Sequence, residues 1–225
     1  INKIEKLVCW LVKDSAEELE DEADFDLLEE RLLSYPALAI GQCHRAMNGM
    51  AKKVRKNVNR AMNLLNDYQQ DKFDKVQRKE DLIDKYESRL GEYLVQLTKR
   101  EMNTAQTRQV SLYLHTINDF ERIGDHAADI SEMTILMSKT KYIPNLEHIN
   151  RMASETVQML IRSIEAYVEK DMKKAVDVIA SDDVVDDLFD KNKAELIEQI
   201  QREPQSAESA ADMLMVAKYF ERIGD

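Results

Sequence analysis

The chain has 225 residues and a formal net charge of -11. A chain of this length can bury a real core in one large domain or two small ones, and so acidic a balance argues against a nucleic-acid partner, which requires a basic face to neutralise phosphates. Only 5 Gly and 3 Pro encode turns, while Ala, Leu, Glu, Lys, Met and Gln are common, which predicts an all-helical protein.

In chain order, residues 1–13 place Ile4, Leu7, Val8, Leu11 and Val12 at helical spacing beside Trp10. They read as a short amphipathic helix docked on the rest, or as a segment lying on a membrane surface. An acidic stretch, 14–30, follows and reads as a solvated linker, ended by Pro36. Cys9 and Cys43 form no pattern; they suit a reducing compartment and read as small apolar residues. No apolar run approaches the ~18 residues of a membrane span, so no span is expected within these residues, and no secretory signal is expected among them either. The chain opens on Ile1 rather than Met, from which a longer parent is expected.

Three long helices are predicted next, over about 37–68, 71–99 and 104–137. Each keeps one apolar stripe: Met47, Met50, Val54 and Val58; then Val76, Ile83, Tyr86 and Leu90; then Val110, Tyr113, Ile117 and Phe120. Tyr-Ile-Pro-Asn at 142–145 predicts the next turn. The hexapeptide Phe-Glu-Arg-Ile-Gly-Asp occurs at 120–125 and again at 220–225. Upstream, Met50, Val76 and Leu94 answer to Met152, Val178 and Leu196. The chain therefore divides into residues 1–36 (N-terminal helix and acidic linker), a three-helix unit over 37–143 and a second over 144–225, with a turn at Pro204. The first unit runs on past its hexapeptide and the second stops at Asp225, so one more helical stretch is expected beyond it.

Each unit carries two acidic pairs at i, i+4: Glu80/Asp84 and Glu121/Asp125, then Asp182/Asp186 and Glu221/Asp225. Such a spacing puts both carboxylates on one helix face, where like charges are mildly destabilising. In each unit the pairs lie about twenty residues either side of the turn, so an antiparallel hairpin rising ~1.5 Å per residue brings four carboxylates level. Four clustered anions require a cation or water to screen them. An all-oxygen set selects hard or borderline cations: Mg, Ca, Mn, Fe, or Zn with waters. The alternative is a solvated acidic face paired to Arg122 and Arg222. Gly124 and Gly224, inside helices at a cost of ~1 kcal/mol relative to Ala, predict a close helix approach or room for an ion. His126, one residue from Asp125, points about 100° away from it and reads as a surface histidine.

The segment Phe-Glu-Arg-Ile-Gly-Asp-His-Ala, the tandem three-helix units and the paired acidic motifs resemble the PhoU family. The resemblance implies two similar three-helix bundles and metal clusters on acidic ExxxD motifs, here Glu80, Asp84, Glu121 and Asp125 in one set and Asp182, Asp186, Glu221 and Asp225 in the other. Asp129 falls where the family often has Asn and is a further, less secure metal candidate. Residues 27–39 are similar to the cytosolic tail of bacterial sodium/phosphate cotransporter-like membrane proteins. That likeness implies a cytoplasmic regulatory domain of phosphate transport, tethered to the inner face of the membrane. It would bind Fe, Mn, Mg or Zn and contact a transporter region in its own or a neighbouring chain; inorganic phosphate on the metal and a second copy of the chain stand as open partners. Two rivals stand beside this. A ferritin-like di-iron enzyme needs Glu-x-x-His on two helices, which the sequence lacks, so a non-enzyme is expected. A metal-independent helical adaptor remains the second reading.

Overall fold

The computed structural model describes residues 28–139, 147–169 and 171–225. The expected N-terminal helix, most of the acidic linker and the 142–145 turn lie outside the described residues. Among the described residues six α-helices follow one another: α1 (Pro36–Asn66), α2 (Gln70–Thr98), α3 (Thr104–Lys139), α4 (Glu147–Glu169), α5 (Met172–Arg202) and α6 (Ala207–Gly224). Short 3-10 turns precede α1 (Glu30–Ser34) and α6 (Pro204–Ser206). Among the described residues there is no strand.

The helix starts have local causes. Asn103 and Gln106 form a reciprocal box, Gln106 N donating to Asn103 Oδ1 at 2.9 Å and Asn103 N to Gln106 Oε1 at 3.0 Å. That satisfies two of the donors a helix start leaves open, and α3 begins there. Asp171 caps α5, accepting from Lys173 N at 2.9 Å and Lys174 N at 3.2 Å. Pro36 opens α1, where its missing N–H has no cost.

Two compact units are distinguished by their contacts, and they cut across the sequence repeat. The described residues up to Met50 pack with Lys85–Asn118, and Ala51–Asp84 packs with Asp119–Asp225. In the first, Cys43, Met47, Leu90, Leu94 and Ile117 are buried, and the His44 ring lies against Tyr113 at 6.1 Å. The 28–34 segment is anchored here rather than solvated. Leu33 is buried, Glu29 N donates to Gln42 Oε1 at 3.3 Å, and the Tyr93 hydroxyl donates to the Glu29 carbonyl at 2.9 Å.

The second unit buries Val54, Val58, Val76, Ile83 and Ile130 from the first repeat. From the second repeat it buries Met152, Val185, Met213 and Phe220, with α4, α5 and α6 packed on one another. Contacts between α2 and α3 step back along one helix as they advance along the other. Gly91 faces Ile117, Ile83 faces Gly124 and Gln77 donates to Ser131 at 3.1 Å. This antiparallel register sets the Glu80/Asp84 turn of α2 beside the Asp125 turn of α3.

Candidate metal centre

Each repeat gathers three carboxylates from two helices. Glu80 and Asp84 of α2 meet Asp125 of α3, each offering one oxygen, all within 4.8 Å of one another. Asp182 and Asp186 of α5 meet Asp225, at the end of α6, within the same limit. Glu121 and Glu221 stand outside these triplets, so the expected four become three. For Glu221 the reason is visible: its carboxylate is held by the Lys218 ammonium one turn back. The cation that reaches this glutamate is Lys218, whereas the solvated-face alternative names Arg222. Asp129 also stays outside the triplet and lies 3.4 Å from His126 Nδ1.

The two glycines show what sets the helix separation. A Cβ on Gly124 would stand 3.1 Å from Ile83 Cγ2 and 3.2 Å from its Cδ1. A Cβ on Gly224 would stand 2.8 Å from Met159 Cε and 3.4 Å from Asp182 Oδ1. Ile83 and Val185 hold equivalent places in the two repeats, and each packs against its glycine. The missing side chains let the acidic turns approach, which offsets the helix penalty of glycine.

Electrostatics follow from that approach. Burial first, then the Asp84 and Asp125 charges, push the Glu80 carboxyl up to about 7. Burial, then Asp84 and Asp129, push Asp125 up against a smaller opposing effect of His126. Asp182 is raised by burial and then by Asp186 and Asp225. Asp186 is raised by burial and then by Glu221 and Asp225. Ionising either cluster without a counter-charge is thus opposed.

One oxygen carries a further signal. Asp182 Oδ1 is buried and accepts no hydrogen bond, and the same oxygen lies over Gly224. A buried carboxylate oxygen with no donor calls for a partner. With three carboxylates converging and no nitrogen or sulfur donor among them, the residues present fit a hard or borderline cation.

Sequence reasoning missed the surroundings of the first cluster. His126 is covered rather than superficial: its side chain is 13% exposed, its ring stacks on Tyr219 at 5.5 Å, and its Nε2 is buried without a partner. Helical angle alone pointed it away from Asp125, but α6 supplies a neighbour that periodicity within α3 cannot show. Tyr219 is raised by burial and then by Asp129 and Glu132, and no sequence motif marks it. Cys43, by contrast, is buried with its thiol pushed up to about 12 by that burial, as a small apolar residue would be.

Comparison with known proteins supplies the family. The PhoU domain profile matches residues 47–134 and 149–225. The chain is similar to the phosphate-specific transport system accessory protein PhoU homolog of Clostridium acetobutylicum, at 26% identity over 186 residues, 82% of this chain and 85% of that one. It is also similar to PhoU homolog 1 of Thermotoga maritima, at 30% identity over 67% of this chain and 66% of that one. The fold matches the crystal structure of PhoU from Pseudomonas aeruginosa with a TM-score of 0.77 at 24% identity, covering 84% of this chain and 90% of that one. The phosphate transport system regulatory protein PhoU from Streptococcus pneumoniae matches with a TM-score of 0.78 at 19% identity, with the same coverage. With a family profile matched over both repeats and the bundle fold shared, this chain belongs to the PhoU family.

Proposed function

We propose that this chain is a regulatory domain of a phosphate transport system, which takes up cations on its two carboxylate clusters and acts by contact with a membrane transporter rather than by catalysis. The observation that carries this reading is the doubled convergence of three carboxylates within 4.8 Å, with a buried Asp182 oxygen left unsatisfied. Glu80, Asp84 and Asp125 would hold one ion or cluster, and Asp182, Asp186 and Asp225 the other, with Glu121 and Glu221 one turn away. Fe, Mn, Mg and Zn all suit such a donor set. A bound ion would neutralise the clustered charge and offer coordination to an oxyanion such as inorganic phosphate. The chain's own residues do the rest: Gly124 and Gly224 let the helices close, with Ile83 packed against the first glycine and Met159 and Val185 against the second.

The relatives' names place them as accessories of phosphate-specific transport. The likeness of residues 27–39 to cotransporter tails adds the narrower context: a cytoplasmic domain tethered to the inner face of the membrane, with its transporter region in the same or a neighbouring chain. No described helix is long and apolar enough to cross a membrane.

A metal-independent adaptor bundle is the second reading. It is favoured by Lys218, which already neutralises Glu221, and by the exposure of Asp84, Asp186 and Asp225. Phosphate uptake in the source cells separates the two. The native gene would be replaced by one carrying Glu80→Gln, Asp84→Asn, Asp125→Asn, Asp182→Asn, Asp186→Asn and Asp225→Asn. Uptake of labelled phosphate that no longer responds to external phosphate, with the variant at normal abundance, is the expected result. Normal regulation by the variant would leave the adaptor reading standing.

A further inference from the structure

The second repeat holds a cavity of about 490 Å³ near the turn between α5 and α6, a size within the range of small-molecule sites. Ile149, Leu196 and Met213, one each from α4, α5 and α6, form its apolar floor, and all three are buried. The rest of the lining is rich in acceptors. Glu195, Glu198 and Glu203 stand exposed at its rim with a single guanidinium, that of Arg202. Arg202 is already paired with Glu198. His148 Nε2 lies 3.3 Å from Glu195 Oε1, and Glu203 has no ion partner among the described residues.

Asn192 also lines the cavity and is only 3% exposed. Its Nδ2 donates to the Leu188 carbonyl at 2.8 Å and reaches Met152 Sδ at 3.7 Å. Its Oδ1 accepts no hydrogen bond among the described residues. A buried amide thus turns an empty acceptor to the cavity, and such a group calls for a donor. The first repeat is an internal control. Along the repeat, Asn192, Glu195 and Gln199 answer to Leu90, Tyr93 and Leu97, and Met213 answers to Tyr113. Those four counterparts are all buried. Where the first repeat packs apolar and aromatic side chains, the second carries polar or slimmer ones around a cavity. A cavity and an unsatisfied buried amide each lower stability, and an occupant that fills the one and bonds the other offsets both.

We propose that this cavity binds a small organic ammonium ion, a protonated primary amine on a short alkyl stem. An ammonium group offers three donors and no acceptor, which matches a lining whose uncommitted groups accept. The surplus of carboxylates over cations at the rim attracts a cation and repels an anion. The stem lies on Ile149, Leu196 and Met213, and the amine donates to Asn192 Oδ1. The site is separate from the carboxylate clusters and shares no residue with them. Met213 stands twelve residues before Asp225 on α6, roughly 18 Å along the helix. The inference therefore stands whether or not those clusters hold metal.

Methionine-methyl NMR of the full chain tests it, with n-pentylammonium chloride as the probe and the Met213 signal assigned through Met213→Leu. The expected result is a saturable shift of Met213, half complete at about 1 mM or below, while Met172, 77% exposed at the far end of α5, does not move. Hexanoate, with the same pentyl stem and the opposite charge, should bind at least about tenfold more weakly. Asn192→Leu, which restores the residue of the first repeat, should weaken pentylammonium binding at least about tenfold and leave the melting temperature unchanged or higher. The double variant Glu195→Gln, Glu203→Gln, at exposed positions, should weaken it by a similar factor. Asp182→Asn, Asp186→Asn, Asp225→Asn should retain it. An unmoved Met213 signal, equal binding of hexanoate, or parental affinity in either cavity variant would overturn the proposal. So would loss of binding in the cluster variant, which would put the amine on those acids instead.

Discussion

At the scale of single residues, the acids and the glycines beside them make one device. Glu80 is the sharpest case, its carboxyl pushed up to about 7 by burial and then by Asp84, Asp125 and Asp81. A carboxyl raised in the folded state binds a proton there that the unfolded chain has already lost. Between about 4.5, its ordinary value, and about 7, folding therefore takes up protons, and stability falls as pH rises through that window. Melting curves in chelator should show that fall, and added cation should flatten it; a melting temperature that rises steadily from pH 4.5 to 7 in chelator would contradict the account. The glycines predict an asymmetry. Gly124→Ala drives a methyl into Ile83, which is β-branched and fully buried and cannot yield easily. Overpacking of about 1–3 kcal/mol should exceed the ~1 kcal/mol gained in helix propensity. Gly224→Ala meets only the flexible end of Met159 closely and should lie within about 0.5 kcal/mol of the parent. Denaturant titrations of both variants check the order.

At the scale of helices, the repeat and the register were legible before any coordinates. Apolar periodicity marked α1, α2 and α3 because each buries a stripe on one side, and the positions of Asn103 and Pro204 fixed which turns of neighbouring helices stand level. That is why the Glu80/Asp84 and Asp125 turns could be paired from sequence. Side-chain detail was not legible, because it depends on residues far apart in the chain. Lys218 takes Glu221, and Tyr219 covers His126, and neither follows from spacing within a single helix. The acids of the 14–30 stretch suggest solvent, yet at its described end Leu33 and the bonds of Glu29 to Gln42 and Tyr93 bind the 28–34 segment down, for the same reason. Tyr93→Phe removes the hydroxyl that bonds the Glu29 carbonyl and should cost about 1 kcal/mol. Amide exchange at residues 30–34 should speed up while that of α4 to α6 stays unchanged; equal acceleration throughout would show that Tyr93 supports the whole core instead.

At the scale of the molecule, duplication explains why two clusters exist and why they are not identical. The first is built on Glu80, with Asp129 and His126 beside it; the second is built on Asp182, with Lys218 holding its glutamate. A ligand present at 100 times its dissociation constant stabilises the native state by about 2.7 kcal/mol, or some 5–10 °C in a chain of this length. The most direct test of the central claim is metal content by elemental mass spectrometry on the purified chain. It would be set against a Glu80→Gln, Asp84→Asn, Asp125→Asn variant, both equilibrated with Fe, Mn, Mg and Zn and then desalted. The account predicts stoichiometric metal in the parent and loss of the first cluster's share in the variant, with the second cluster's share retained. No metal in either protein, with the variant at least as stable as the parent, would contradict it and reduce the converging acids to a solvated face.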